Sequence, residues 1–135
     1  MKRKGFTLAE VLIAVILIGL AIASLVASNI SFTRANGDAT NLSTAEFLLE
    51  QIKEFTTTLE YEGLRNSPPF SPPIKVNGAP FPPSEFPGFT QQVTVENVSP
   101  ANFQPASPSD FLRITVTVSL NAKPVCSSAW IRARY

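Results

Sequence analysis

The sequence predicts an α+β fold: one long N-terminal helix packed on a small three-stranded antiparallel sheet. Three observations carry this expectation. From Val11 to Thr33 there are 23 consecutive residues without a charge, and the stretch to Val26 is almost wholly aliphatic. Beyond it, Ala35, Ala39, Leu42, Ala45, Leu48, Ile52, Phe55 and Leu59 recur every three or four residues, the spacing of one helical face. In the last third, apolar and polar residues alternate, as half-buried strands require.

The first segment is long enough to span a bilayer. At 1.5 Å per residue its helix reaches roughly 35 Å, against a hydrocarbon core of about 30 Å. Lys2, Arg3 and Lys4 precede it and no basic residue follows until Arg34, so the charge bias places the N-terminus in the cytoplasm and the body outside. A secretory signal peptide shares the basic start and would end near Ala21-Ile22-Ala23. Against that alternative stand the length of the apolar run and Glu10 near its start, since a carboxylate in hydrocarbon costs on the order of 3 kcal/mol. Thr7-Leu8-Ala9-Glu10 fits a helix capping box, a sufficient structural reason for the acid, and a functional carboxylate is the other.

The second half of the helix places Glu46, Glu50, Lys53 and Glu54 mainly off its apolar stripe, which suits a surface helix lying on a sheet. Phe6 to about Leu59 would form a helix roughly 80 Å long. Asn36-Gly37-Asp38 is its weak point, expected to kink or melt locally. From Pro68 to Gly88, eight of 21 residues are proline, so this stretch reads as a stiff extended loop pinned by Phe70, Phe81 and Phe86. Its two P-x-x-P sequences match polyproline II ligands but need no partner to be explained. Phe89, Gln91, Val93 and Val95 form one face of a first strand; Leu112, Ile114, Val116, Val118 and Leu120 form the apolar face of a second. After a turn at Asn121 to Pro124, Val125, Ser127, Ala129, Ile131 and Ala133 suggest a third. The expected segments are residues 1–5, 6–28, 29–62, 63–88 and 89–135.

Composition narrows the function classes. The 135 residues include 11 Lys plus Arg and 10 Asp plus Glu, and removal of Lys2, Arg3 and Lys4 leaves eight basic against ten acidic side chains. A mildly acidic body is not built for nucleic acid by bulk electrostatics. Arg113, Arg132 and Arg134 beside Trp130 form a thin cation and stacking set for single-stranded DNA, equally readable as a solvated face. Histidine is absent and Cys126 is the one cysteine, which removes the usual metal ligands and nucleophile pairs. Cys126 reads as a small buried hydrophobe. Glu60, Glu62, Glu85, Glu96 and Asp110 show no motif spacing, so no enzyme and no cofactor is expected.

Lys4-Gly5-Phe6-Thr7-Leu8-Ala9-Glu10-Val11-Leu12-Ile13-Ala14 resembles the cleavage and methylation segment of type IV prepilins and type II secretion pseudopilins, G-F-T-L-x-E followed by an aliphatic run. The resemblance implies cleavage between Gly5 and Phe6 by a prepilin peptidase on the cytoplasmic side, methylation of the Phe6 amine, and pairing of Glu10 with the Phe6 amine of a neighbouring subunit. It further implies a single-pass inner-membrane protein whose partners are other pilin or pseudopilin subunits in a filament. Ala45 to Ile52, followed by Tyr61-Glu62-Gly63-Leu64, resembles the V class of minor pilins and the I-class minor pseudopilin. The alternative is a secreted or membrane-anchored binding protein, with DNA bound in uptake as one form of it.

Overall fold

The computed structural model describes residues Gly5–Arg134; the basic leader read at Lys2, Arg3 and Lys4 lies outside the described residues. The elements are a helix α1 (Leu8–Thr58), a single 3₁₀ turn at Tyr61–Gly63, and strands β1 (Phe89–Asn97), β2 (Phe111–Leu120) and β3 (Lys123–Ala133). The sheet is antiparallel in the order β1-β2-β3, giving the expected α+β fold of one long helix and a three-stranded sheet. The chain forms two compact units, Met1–Ala39 and Thr40–Tyr135.

In the first unit, α1 is regular throughout, and the expected kink at Asn36-Gly37-Asp38 is not found: all three residues are helical. A Cβ on Gly37 would meet nothing within 4 Å, so this glycine costs the helix only its intrinsic propensity, about 1 kcal/mol. A 51-residue helix absorbs such a local penalty because each residue within it propagates an existing hydrogen-bonded ladder rather than nucleating one.

In the second unit, α1 buries Ala45, Leu48, Leu49, Ile52 and Thr56, the broad stripe of a helix that packs on one side. Phe55 and Leu59 add partly buried surface, whereas Leu42 stays 43% exposed. Opposite this stripe lie Phe89 and Val93 from β1 and Leu112, Ile114, Val116 and Val118 from β2, all buried. The central strand β2 supplies most of the sheet's core, and each such side chain stabilises the fold by roughly 1.5–3 kcal/mol. Both predicted faces of β1 and β2 are therefore correct.

The face of β3 is not. The register pairs Val118 with Cys126, Val116 with Ser128, Ile114 with Trp130 and Leu112 with Arg132. Directly opposed residues share a face, so Cys126, Ser128, Trp130 and Arg132 lie on the α1 side, and Ser127, Ala129 and Ile131 point away. The reason is a register shift between Val118 and Ser119: Ser119 pairs with Pro124, which leaves Val125 as an extra residue that inverts the alternation. The turn is also tighter than expected, with Asn121 (φ 50°) and Ala122 (φ 66°) joining Leu120 to Lys123 as a two-residue hairpin of positive φ.

The hydrogen-bond phase of the sheet follows from one bond, Asn121 N–H to the Gly88 carbonyl at 2.8 Å. It makes Phe89/Leu120, Gln91/Val118 and Val93/Val116 non-bonded pairs, so the backbone of Val118, Val116 and Ile114 turns toward β3 and that of Gln91 and Val93 turns to the outer edge. The proline-rich segment covers that outer edge. Phe70 and Gln91 exchange both backbone bonds (2.7 and 3.3 Å), Ser67 N–H donates to the Val93 carbonyl at 2.9 Å, and Asn66 Oδ1 accepts from Val95 N–H at 2.5 Å. Phe81 is buried and Phe86 packs on it edge-to-face at 4.9 Å, with Phe47 6.0–6.2 Å from both. Phe70 and Phe86 are partly buried against the core, so all three predicted phenylalanines pin the loop.

Candidate functional site

The residues singled out at the N-terminus begin with local backbone chemistry. A helix leaves its first four N–H groups without intrahelical acceptors, and Thr7-Leu8-Ala9-Glu10 supplies acceptors in sequence. Thr7 N–H donates to Glu10 Oε2 at 2.8 Å, Thr7 Oγ1 donates to the same oxygen at 2.9 Å, and Glu10 N–H donates to Thr7 Oγ1 at 3.3 Å. The capping box read in the sequence is formed. Oε2 takes both bonds, and Oε1 is not engaged in any of them. The carboxylate also lies in the first turn, at the positive end of the helix dipole.

Gly5 and Phe6 precede the helix, outside regular structure, and Phe6 is 87% exposed. A Cβ on Gly5 would meet nothing within 4 Å, so nothing in the chain's own packing requires a glycine there. From Leu8 to Ile30 the large aliphatic side chains are 49–79% exposed on every side of the helix. The 18-residue window of highest mean hydropathy, 2.8, has none of its residues buried. An apolar surface of this extent is far beyond the patches that soluble monomers leave open.

The few hydroxyls in this stretch do not disturb its apolar character. Ser24 donates to the Ala21 carbonyl at 2.8 Å, Ser28 to Ser24 at 2.9 Å and Ser31 to Ala27 at 3.1 Å. Each is satisfied within its own helix, the condition for a polar group to enter hydrocarbon cheaply.

The other candidates are dispersed. Arg132 donates to the Leu59 carbonyl at 2.7 Å and the Thr56 carbonyl at 3.4 Å, placing a cation at the negative end of α1. Arg113 pairs with Glu96 at 3.2 Å and donates to the Phe103 carbonyl; Arg134 pairs with Glu62 at 2.5 Å and lies over the Tyr61 ring. Trp130 is partly buried against the core. Among the described residues, each of the three arginines thus has its own structural partners. Glu60, Glu62, Glu85, Glu96 and Asp110 are all exposed; Glu60 and Glu62 share the turn after α1, and the other three lie on separate segments. Cys126 is half-buried on the α1 side of β3, where burial first and the Glu46 carboxylate second push its thiol pKa up.

Two roles were missed by sequence reasoning. Gln91, placed on the apolar face of β1, is fully buried; its amide donates to the Leu48 and Ile74 carbonyls at 2.6 and 3.3 Å, and its Oε1 accepts from Ile74 N–H at 2.7 Å. It ties helix, loop and strand together, and its place on an apolar face was the available signal. The capping role of Arg132 had none, because its face depends on the β3 register shift.

Residues 1–26 match the family described as the prokaryotic N-terminal methylation motif. No curated protein and no solved structure matches the chain. The matched segment contains Gly5, Phe6, the Thr7–Glu10 box and most of the uncovered apolar helix, so the chain begins with a prokaryotic N-terminal methylation motif, consistent with a type IV pilin-like prepilin.

Proposed function

We propose that this chain is a structural subunit, a minor pilin or pseudopilin, of a type IV pilus or type II secretion filament, and that it works by assembly rather than catalysis. The observation that carries this reading is the continuity of the prepilin-type motif with an apolar helix left uncovered on all sides. Such a surface has two stable destinations, a bilayer and a bundle of like helices, and a filament subunit visits both in turn.

In this reading prepilin peptidase cuts between Gly5 and Phe6 on the cytoplasmic side of the inner membrane and methylates the new amine of Phe6. Cleavage removes Lys2, Arg3 and Lys4, whose three charges oppose withdrawal from the membrane. Gly5 is explained by the peptidase rather than by the fold, since its own chain leaves the position open. Glu10 then holds two contacts: Oε2 stays with Thr7, and Oε1 receives the Phe6 amine of a neighbouring subunit. The pair neutralises a carboxylate that would otherwise be costly in an apolar bundle. The sheet unit faces the periplasm or the exterior.

The test is the N-terminal residue and mass of the mature protein extracted from membranes. Phe6 carrying one methyl group on its amine is the expected result. An N-terminus at Ser24 or nearby would instead mean ordinary secretion, and Met1 an unprocessed anchor; either defeats the reading.

A further inference from the structure

The sheet has two edges, and the chain treats them differently. Residues 66–70 cover the edge of β1. At the edge of β3, Cys126, Ser128 and Trp130 bond inward to β2, which turns the N–H and C=O of Ser127, Ala129 and Ile131 outward. None of these outward groups is hydrogen-bonded among the described residues. Lys123 and Pro124 blunt only the start of the strand, and Val125–Ile131 has no charge. A long uncharged edge of this kind is a template for another strand unless something covers it.

Beside it runs an open groove between α1 and β3, lined by Glu46, Leu49, Glu50, Cys126, Ser127 and Ser128. Its floor is apolar at Leu49 and its rim is acidic. Glu50 shares Lys53 at 3.3 Å, whereas Glu46 has no ion pair among the described residues.

We propose that the open edge of β3 receives an extended segment of a different polypeptide as a fourth strand, with basic side chains on the face turned toward α1. Backbone bonds to Ser127, Ala129 and Ile131 supply the docking, and Glu46 and Glu50 select the charge. A second copy is the poorer occupant. Antiparallel pairing of β3 with itself would set the two Glu46–Glu50 rims against each other across a two-fold axis, with like charges facing. The inference stands on the sheet alone and is independent of the N-terminal reading.

The test uses the full chain in non-ionic detergent with two synthetic eight-residue peptides, one alternating lysine with valine and one alternating glutamate with valine. Amide hydrogen exchange is followed residue by residue. The lysine peptide should slow exchange at Ser127, Ala129 and Ile131 by about tenfold or more, and the glutamate peptide should not. Ala129→Pro removes one outward N–H without touching a bond to β2 and should abolish the effect, with unchanged protection at Ser128 and Trp130 reporting an intact sheet. Glu46→Lys, on the surface, should weaken binding of the lysine peptide at least severalfold and serves even if the proline variant does not fold. The proposal is overturned by absent protection with the lysine peptide, by equal protection with both peptides, or by concentration-dependent self-protection of the three amides without peptide, which would identify a second copy as the occupant.

Discussion

Gln91 shows how much a single side chain can hold when it is both buried and fully bonded. Its amide spans α1, the proline-rich loop and β1, and no buried polar side-chain atom lacks a partner among the described residues. Gln91→Leu keeps the volume but strands Ile74 N–H, a loss of about 1–3 kcal/mol. Urea unfolding should register that loss as a lower midpoint with an unchanged slope. Ala122 is the opposite case, since a Cβ at φ 66° costs about 1–2 kcal/mol, while glycine returns about 0.4–1 kcal/mol of unfolded-state entropy. The first effect wins, so Ala122→Gly should stabilise by about 0.5–1 kcal/mol. Cys126 makes a pH prediction. Its thiol pKa is raised in the fold, so the unfolded chain loses the proton first; this contribution is complete below the unfolded pKa and fades as pH rises through the folded one. Removing the Glu46 charge lowers that folded pKa, and Glu46→Gln should therefore speed alkylation of Cys126 by iodoacetamide at pH 8.

At the scale of elements, the helix and the first two strands were legible because their signals are periodic and local. Leu112, Ile114, Val116 and Val118 cannot face water without exposing the whole core, and Thr7-x-x-Glu10 declares its own cap. What was not legible depends on pairing. A single unpaired residue, Val125, inverts the face of β3, and alternation alone cannot show it because Val125, Ala129 and Ile131 make an equally plausible apolar series. The same limit hid the role of Arg132 at the end of α1, and it made Arg113, Arg132 and Arg134 look like one surface. At Asn36-Gly37-Asp38 local propensity pointed to a break, yet the ladder continues. Gly37→Ala should then raise helix stability by about 0.8–1 kcal/mol, read as slower amide exchange around residue 37. If residue 37 were a melted turn, the substitution would leave exchange there unchanged.

For the whole molecule, the consequence of the N-terminal reading is an asymmetry between insertion and assembly. Bringing the Glu10 carboxylate into hydrocarbon costs on the order of 3 kcal/mol, so Glu10→Ala removes an obstacle to insertion and should leave membrane recovery at or above the wild-type level. Assembly runs the other way. If Oε1 of Glu10 receives the amine of a neighbour, truncation leaves that cation uncompensated in an apolar bundle, a loss of about 3–5 kcal/mol where the pair is fully buried. Even half of that corresponds to a drop in incorporation on the order of tenfold. Glu10→Gln separates the two roles of the side chain, because an amide oxygen can still accept from Thr7 and hold the cap but carries no charge for the amine. It should behave like alanine in assembly and like wild type in helix initiation. Replacing Glu60, Glu62, Glu85, Glu96 or Asp110, each exposed on the sheet unit, should leave incorporation intact. The measurement is quantitative recovery of each variant in membrane and sheared-filament fractions of the same cells. Normal filament recovery of both Glu10 variants would remove the charge pairing from the account, whereas equal loss from membrane and filament would trace the defect to insertion.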